Sequence, residues 1–228
     1  MGSPIRPNDV SPPARPEVET LSAYSAPLEG RRGMLRLDFN ENTVGPSPAV
    51  AEAIRAIPLE TYAVYPEYNG LMDALVPALQ AGFGPGRLDR TNLGLFNGAD
   101  AAIHAVCQAY GSPGDRLLIT APSFGYYIPC ARMQGMDVVA VPHEGPAFAF
   151  PYEAFAAALS QARVALLCNP NNPTGTRLAP DQVLALARSA PRTLLMVDEL
   201  YEAFTGDNVL PLVLADPRVF AAVRSCAP

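Results

Sequence analysis

Asp198 closes an apolar run, Leu194-Leu195-Met196-Val197, and is followed by Glu199-Leu200-Tyr201. The carboxyl end of a buried strand is where open α/β sheets bind ligands. A carboxylate held there favours a cationic partner. An Asp that caps the next helix is the ordinary alternative. A second apolar run, Val164-Ala165-Leu166-Leu167, leads into Cys168-Asn169-Pro170-Asn171-Asn172-Pro173-Thr174-Gly175. Asn, Pro and Gly punctuate any chain, yet this turn sits directly behind a buried strand, which is a ligand-binding position. Gly98-Ala99-Asp100 stands between a short apolar run and a helical pattern. The first N–H groups of a helix are unpaired and its dipole favours an anion. Gly98 would let the backbone approach such an anion closely, although small residues open many helices. Phe124, in Pro122-Ser123-Phe124-Gly125, offers a flat apolar face for stacking or a plain core side chain. Tyr201 reads either as a hydrogen-bonding phenol or as a half-buried packing aromatic. One residue type is missing altogether: all 16 basic side chains are Arg, and the chain has no lysine.

Alternating strands and helices must position these groups. The apolar patterns predict helices over Ala49–Ile57, Asn69–Phe83, Asp100–Tyr110, Gly125–Met133, Tyr152–Ala162 and Pro180–Ala190. They predict strands over Leu93–Phe96, Arg116–Thr120, Asp137–Val141, Val164–Cys168, Thr193–Val197 and Val219–Val223. Val164–Cys168 and Leu194–Val197 are too uniformly apolar for a one-sided sheet and suit central strands covered on both faces. The class is therefore α/β, a mostly parallel sheet with flanking helices built from right-handed crossovers. Residues 1–30, with prolines at 4, 7, 12, 13, 16 and 27, read as an extended or disordered arm.

Composition narrows the chemistry. A net charge of −6 and pI near 4.9 argue against nucleic acid as a partner. No apolar run approaches the ~18 residues that span a bilayer, and no signal-peptide pattern opens the chain. The four cysteines show no metal-binding spacing, so no metal is expected, and the cytoplasm is the expected compartment. His104 falls inside a helix and reads as packing, while His143 stands in a Pro/Gly loop. There is no nucleophile elbow, GxGxxG or P-loop.

In this order and spacing the motifs resemble the fold-type I aminotransferases dependent on pyridoxal phosphate (PLP), and among them the histidinol-phosphate aminotransferase group. The likeness covers roughly residues 35–225. It rests on Leu37-Asp38-Phe39-Asn40-Glu41-Asn42 with Gly45-Pro46-Ser47-Pro48, on Tyr65-Pro66-Glu67, and on the three motifs already given. Ala101 and Val64 depart from the family's usual acidic and Arg residues. The resemblance implies that Asp198 faces the pyridine nitrogen of PLP, and that Asn172 and Tyr201 hydrogen-bond its phenolic oxygen. It implies that Phe124 stacks on the ring and that Gly98, Ala99 and Asp100 hold the phosphate. It has Tyr65 reach the cofactor phosphate of a neighbouring subunit in a homodimer, with the segment near Asn42 closing over substrate. Three regions follow: a Pro-rich arm at 1–30, an N-terminal segment at 31–65, and an incomplete PLP-binding large domain at 66–228.

The implied activity is amino-group transfer between a small-molecule amino donor, such as histidinol phosphate in histidine biosynthesis, and a 2-oxo acid. A decarboxylase or C–S lyase of the same fold is an alternative, as is a non-catalytic PLP-binding or interaction module. The family pattern continues as Arg-[Ser/Thr]-x-Ser-Lys, whose lysine carries PLP as a Schiff base. Arg224-Ser225 fits its start, but Ala227 and Pro228 stand where Ser and Lys belong. The expectation is a chain truncated before its catalytic lysine, without turnover, and with central strands left partly uncovered.

Overall fold

A computed structural model describes residues 12–22, 29–81, 88–220 and 223–226. The helices are α1 (Pro16–Glu19), α2 (Pro48–Arg55), α3 (Asn69–Gln80), α4 (Gly98–Tyr110), α5 (Tyr127–Arg132), α6 (Tyr152–Leu159), α7 (Pro180–Ser189), α8 (Leu210–Ala215) and α9 (Pro217–Phe220). The strands are β1 (Arg116–Ala121), β2 (Asp137–Pro142), β3 (Val164–Cys168), β4 (Leu194–Asp198) and β5 (Val223–Cys226). Two compact units result. One comprises the described residues up to Leu21 together with those from Leu79 onward; the other lies within Ser22–Ala78.

All five strands belong to the first unit and form one parallel sheet in the order β2-β1-β3-β4-β5. Side chains alternate across a strand, and the core divides accordingly. Val164, Leu166 and Cys168 join Leu194 and Met196 on one face, packed with Ile103 and Cys107 of α4 and Tyr127 and Cys130 of α5. Ala165, Leu167, Leu195 and Val197 face the other way, against Phe155 of α6, Val183 and Leu186 of α7 and Val213 of α8. Every residue of β3 and β4 is buried. The central strands are thus fully covered, contrary to the expectation of bare apolar surface there. Exposed large apolar side chains concentrate in the second unit, at Met34, Leu35, Leu37, Val44 and Leu59.

Three expectations differ from the observed elements. Leu93–Phe96 forms no strand: Leu93 is extended, but the segment pairs with no strand among the described residues. Its apolar composition suits a strand, but composition supplies no neighbour to pair with. Val219–Val223 is not a strand: Pro217–Phe220 is a helical turn, and β5 begins at Val223. Asp216 starts that turn, accepting the Arg218 N–H on Oδ1 at 3.1 Å, and Pro217 suits the first helical position. Within the Pro-rich arm, α1 is a single helical turn, and the Arg15 guanidinium donates to the Met133 carbonyl at 2.6 Å. The remainder of the arm at 1–11 and 23–28, the predicted helix end at Phe83, and Ala227-Pro228 lie outside the described residues.

Candidate functional site

The chain leaves β1 toward β2 on one side, then returns past β1 to build β3 on the other. Connections from the carboxyl ends of β1 and β3 therefore diverge and open a crevice between them. The asparagine turn and the Pro122–Gly125 loop border it, and Asn171 joins the two. Ser123 Oγ donates to Asn171 Oδ1 at 2.8 Å, and Asn171 Nδ2 donates to the Pro122 carbonyl at 3.0 Å and to Thr174 Oγ1 at 2.8 Å. Asn169 is equally occupied: its side chain exchanges hydrogen bonds with the Leu178 backbone at 3.1 and 2.8 Å. Asn172 behaves differently, with Nδ2 donating to the Tyr201 hydroxyl at 3.4 Å. Two of the three asparagines hold the turn together, and the third directs its amide to a phenol.

Strand alternation places Asp198 on the α4/α5 face, beside its register partner Cys168. Cys168 Sγ in turn accepts the Asn172 N–H at 3.4 Å, and the Asn169 N–H donates to the Asp198 carbonyl at 2.9 Å, which ties the turn to the end of β4. Asp198 is 3% exposed. Its Oδ2 accepts the Tyr127 hydroxyl at 2.7 Å and its Oδ1 accepts the Leu200 N–H at 3.2 Å. The Oδ1 contact closes a local turn and does not cap the following helical turn, Glu202–Phe204, whose first flanking residue is Tyr201. Burial drives the Tyr127 phenol far above its ordinary range and pushes the Cys168 thiol up to about 11, so both stay protonated beside the carboxylate.

Gly98 opens α4 at φ +79°, a left-handed conformation, and nothing lies within 4 Å of where a Cβ would project. Asn97 supplies no side-chain cap, and the Gly98 N–H donates to the Phe96 carbonyl at 3.0 Å, which leaves the amides that follow it as the anion-facing ones. Burial, and secondarily the charge of Asp198, raises the Asp100 pKa, and Ala99 packs in the same cluster as Phe124, Tyr127 and Cys168. Phe124 is half-buried and meets the Tyr127 ring edge-on, with centroids 5.5 Å apart. The structure thus gathers the turn at Gly98, Ala99 and Asp100 with Phe124, Asn172, Asp198 and Tyr201 at one edge of the sheet. Tyr65 belongs to the second unit, where it is 97% exposed. Asn42, in that unit too, closes a local turn through Gly45 and Val44.

Sequence reasoning missed two groups. Tyr127 carried only a helix-packing signal, and its contact with Asp198 spans 71 positions. Glu199 is 1% exposed, and its carboxylate accepts the Val209 N–H at 2.8 Å and the Ser225 hydroxyl. Burial pushes its pKa up to about 7, against the partial relief of those two hydrogen bonds. Among the described residues no group of metal-ligating side chains forms, and no helix is long and apolar enough to cross a membrane.

Residues 32–227 match the family described as aminotransferase class I and II. The chain belongs to the class I and II aminotransferases. Among these aminotransferases it is 38% identical to histidinol-phosphate aminotransferase of Symbiobacterium thermophilum over 176 residues, covering 77% of this chain and 47% of that protein. With the Paramagnetospirillum magneticum enzyme of the same name it shares 34% over 203 residues, or 87% of this chain and 54% of that one. Its fold is similar to the crystal structure of histidinol-phosphate aminotransferase from Sinorhizobium meliloti in complex with pyridoxal-5'-phosphate. That likeness has a TM-score of 0.68 and 25% identity, over 82% of this chain and 50% of that one. The chain spans about half the length of the curated relatives it matches. The cofactor of this aminotransferase family is PLP.

Proposed function

We propose that the chain binds PLP in the crevice at the carboxyl edge of its sheet, as the cofactor-holding part of a histidinol-phosphate aminotransferase-like fold. The observation that carries this reading is the buried Asp198 carboxylate, hydrogen-bonded by neutral donors and flanked by the Asn172–Tyr201 pair. The groups fit the cofactor. The open first turn of α4, with its left-handed Gly98, suits a phosphate. Phe124 suits the ring face, and Asp198 suits a protonated ring nitrogen. Asn172 and Tyr201, now paired with each other, would hydrogen-bond the phenolic oxygen. Tyr65 would serve the phosphate of a partner subunit in a homodimer.

When bound, PLP supplies an electron sink for reactions at the carbon bearing an amino group. The residues' own part is to orient the ring, hold the ring nitrogen's proton opposite Asp198, and exclude water with Phe124. The reaction class is amino transfer from a donor such as histidinol phosphate to a 2-oxo acid, in the cytoplasm. The chain has no lysine to hold the cofactor covalently or to shuttle a proton. That composition favours a second reading, a PLP-binding polypeptide without turnover.

The test is to titrate the purified chain with PLP, reduce with borohydride, map adducts, and assay amino transfer. Saturable binding that Asp198→Asn weakens at least ~10-fold, as expected on losing a charged hydrogen bond, supports the site. No saturable binding sinks it. Turnover clearly above free PLP, or an adduct at one position within residues 2–228, sinks the turnover-free reading alone.

A further inference from the structure

Tyr127 is the first residue of α5 and is wholly buried. Nothing assigned to the site so far uses it, yet it touches two of the site's groups at once. Its hydroxyl donates to Asp198 Oδ2 at 2.7 Å, and its ring stands at 84° to that of Phe124 with centroids 5.5 Å apart. Its backbone N–H also donates to the Phe124 carbonyl at 3.4 Å, which closes the turn that presents the Phe124 ring.

We propose that Tyr127 is a positioning residue for the cofactor ring, fixing the rotamer of Asp198 and bracing Phe124 so that both address one ring plane. This rests on the reading of the crevice as a PLP site. A carboxylate with one oxygen held by Tyr127 and the other by the Leu200 N–H cannot swing about its terminal torsion, which is otherwise broad. Both donors are neutral, the Tyr127 hydroxyl and the Leu200 N–H. Phe124 lies in the loop after β1 and Asp198 at the end of β4, two strands away in the sheet. Tyr127 spans that gap with one rigid side chain. Groups that orient a ligand-binding residue from behind are commonly worth 10- to 100-fold in ligand affinity or activity at metal sites, and the same geometric reasoning applies to a carboxylate facing a ring nitrogen.

The experiment measures binding of pyridoxamine 5'-phosphate by its own fluorescence, using the full 228-residue chain. The proteins are wild type, Tyr127→Phe, Asp198→Asn and the double variant, and the pH dependence of the bound fluorescence band is recorded for each. The expected result is a Kd about 10-fold higher for Tyr127→Phe, with the band's pH midpoint displaced. In the Asp198→Asn background the same substitution should change neither. A merely structural Tyr127 would weaken binding equally in both backgrounds and leave the midpoint in place, which overturns the proposal. So does an unchanged Kd for Tyr127→Phe. Should Tyr127→Phe fail to fold, the Asp198→Asn pair still decides, because it removes the buried charge that the lost hydroxyl would strand. Wild-type chain that does not bind the probe overturns the cofactor site itself and this inference with it, an outcome distinct from both others.

Discussion

Replacing Glu199 by Gln should stabilise the fold at alkaline pH and leave it nearly unchanged at acid pH. The carboxyl group is buried, and its pKa stands at about 7 against an ordinary 4.5. The folded chain therefore holds this proton more tightly than the unfolded chain does. Its favourable contribution is fully present below pH 4.5 and is lost as pH rises through 7. A gap of that size corresponds to about 3 kcal/mol, at 1.36 kcal/mol per pH unit. Gln keeps the local geometry: its carbonyl oxygen can accept the Val209 N–H, and its amide can donate to the Ser225 hydroxyl, which rotates to accept. Urea unfolding of both chains by circular dichroism, from pH 4.5 to 8.5, isolates the effect, because every other titrating group cancels in the difference. The stability advantage of Glu199→Gln should grow from near zero to about 3 kcal/mol across that window. A difference that stays flat with pH, or that favours Glu at pH 8, would refute the assignment of a buried, proton-holding carboxyl.

Gly98→Ala should cost about 1–2 kcal/mol of stability through its left-handed backbone alone, since no atom obstructs a Cβ there. It should also weaken PLP binding, and a melt unchanged within error would contradict the strain. Asn171→Ala and Asn172→Ala should separate. The first removes three part-buried hydrogen bonds made by a buried side chain and should cost about 1–3 kcal/mol in urea unfolding. The second should cost little stability and weaken PLP affinity, and the opposite ranking would reverse the roles given to these two amides.

Much of this architecture was legible because the sheet is doubly covered. Continuous apolar runs with β-branched residues marked β3 to the residue and β1, β2 and β4 to within one. The placement of Asp198, Asn172 and Tyr201 at the carboxyl edge of the sheet was legible for the same reason, since each follows a buried run. Leu93–Phe96 misled because four apolar residues look alike whether or not a neighbouring strand exists. Val219 misled in the same way: it is buried, but in a turn that Asp216 and Pro217 start, and that signal was present and unused. Tyr127 and Glu199 were illegible in principle. Their partners are brought to them only by the order of the strands, and no local pattern records that order.

Leu117 of β1 pairs with Val164 of β3, after an intervening strand and two helices have been laid outside it. Among the described residues every strand pairing is parallel, so the strand ends that border the crevice come together only from segments distant in sequence. During vectorial synthesis at ~5–20 residues per second, about five to twenty seconds separate the emergence of Gly98 from that of Tyr201. The start of α4, then Phe124, then the asparagine turn are made before the Asp198 carboxylate that they meet at the edge of the sheet. The edge that these groups share is therefore complete only once β4 has docked on β3, before β5 adds the last strand of the sheet.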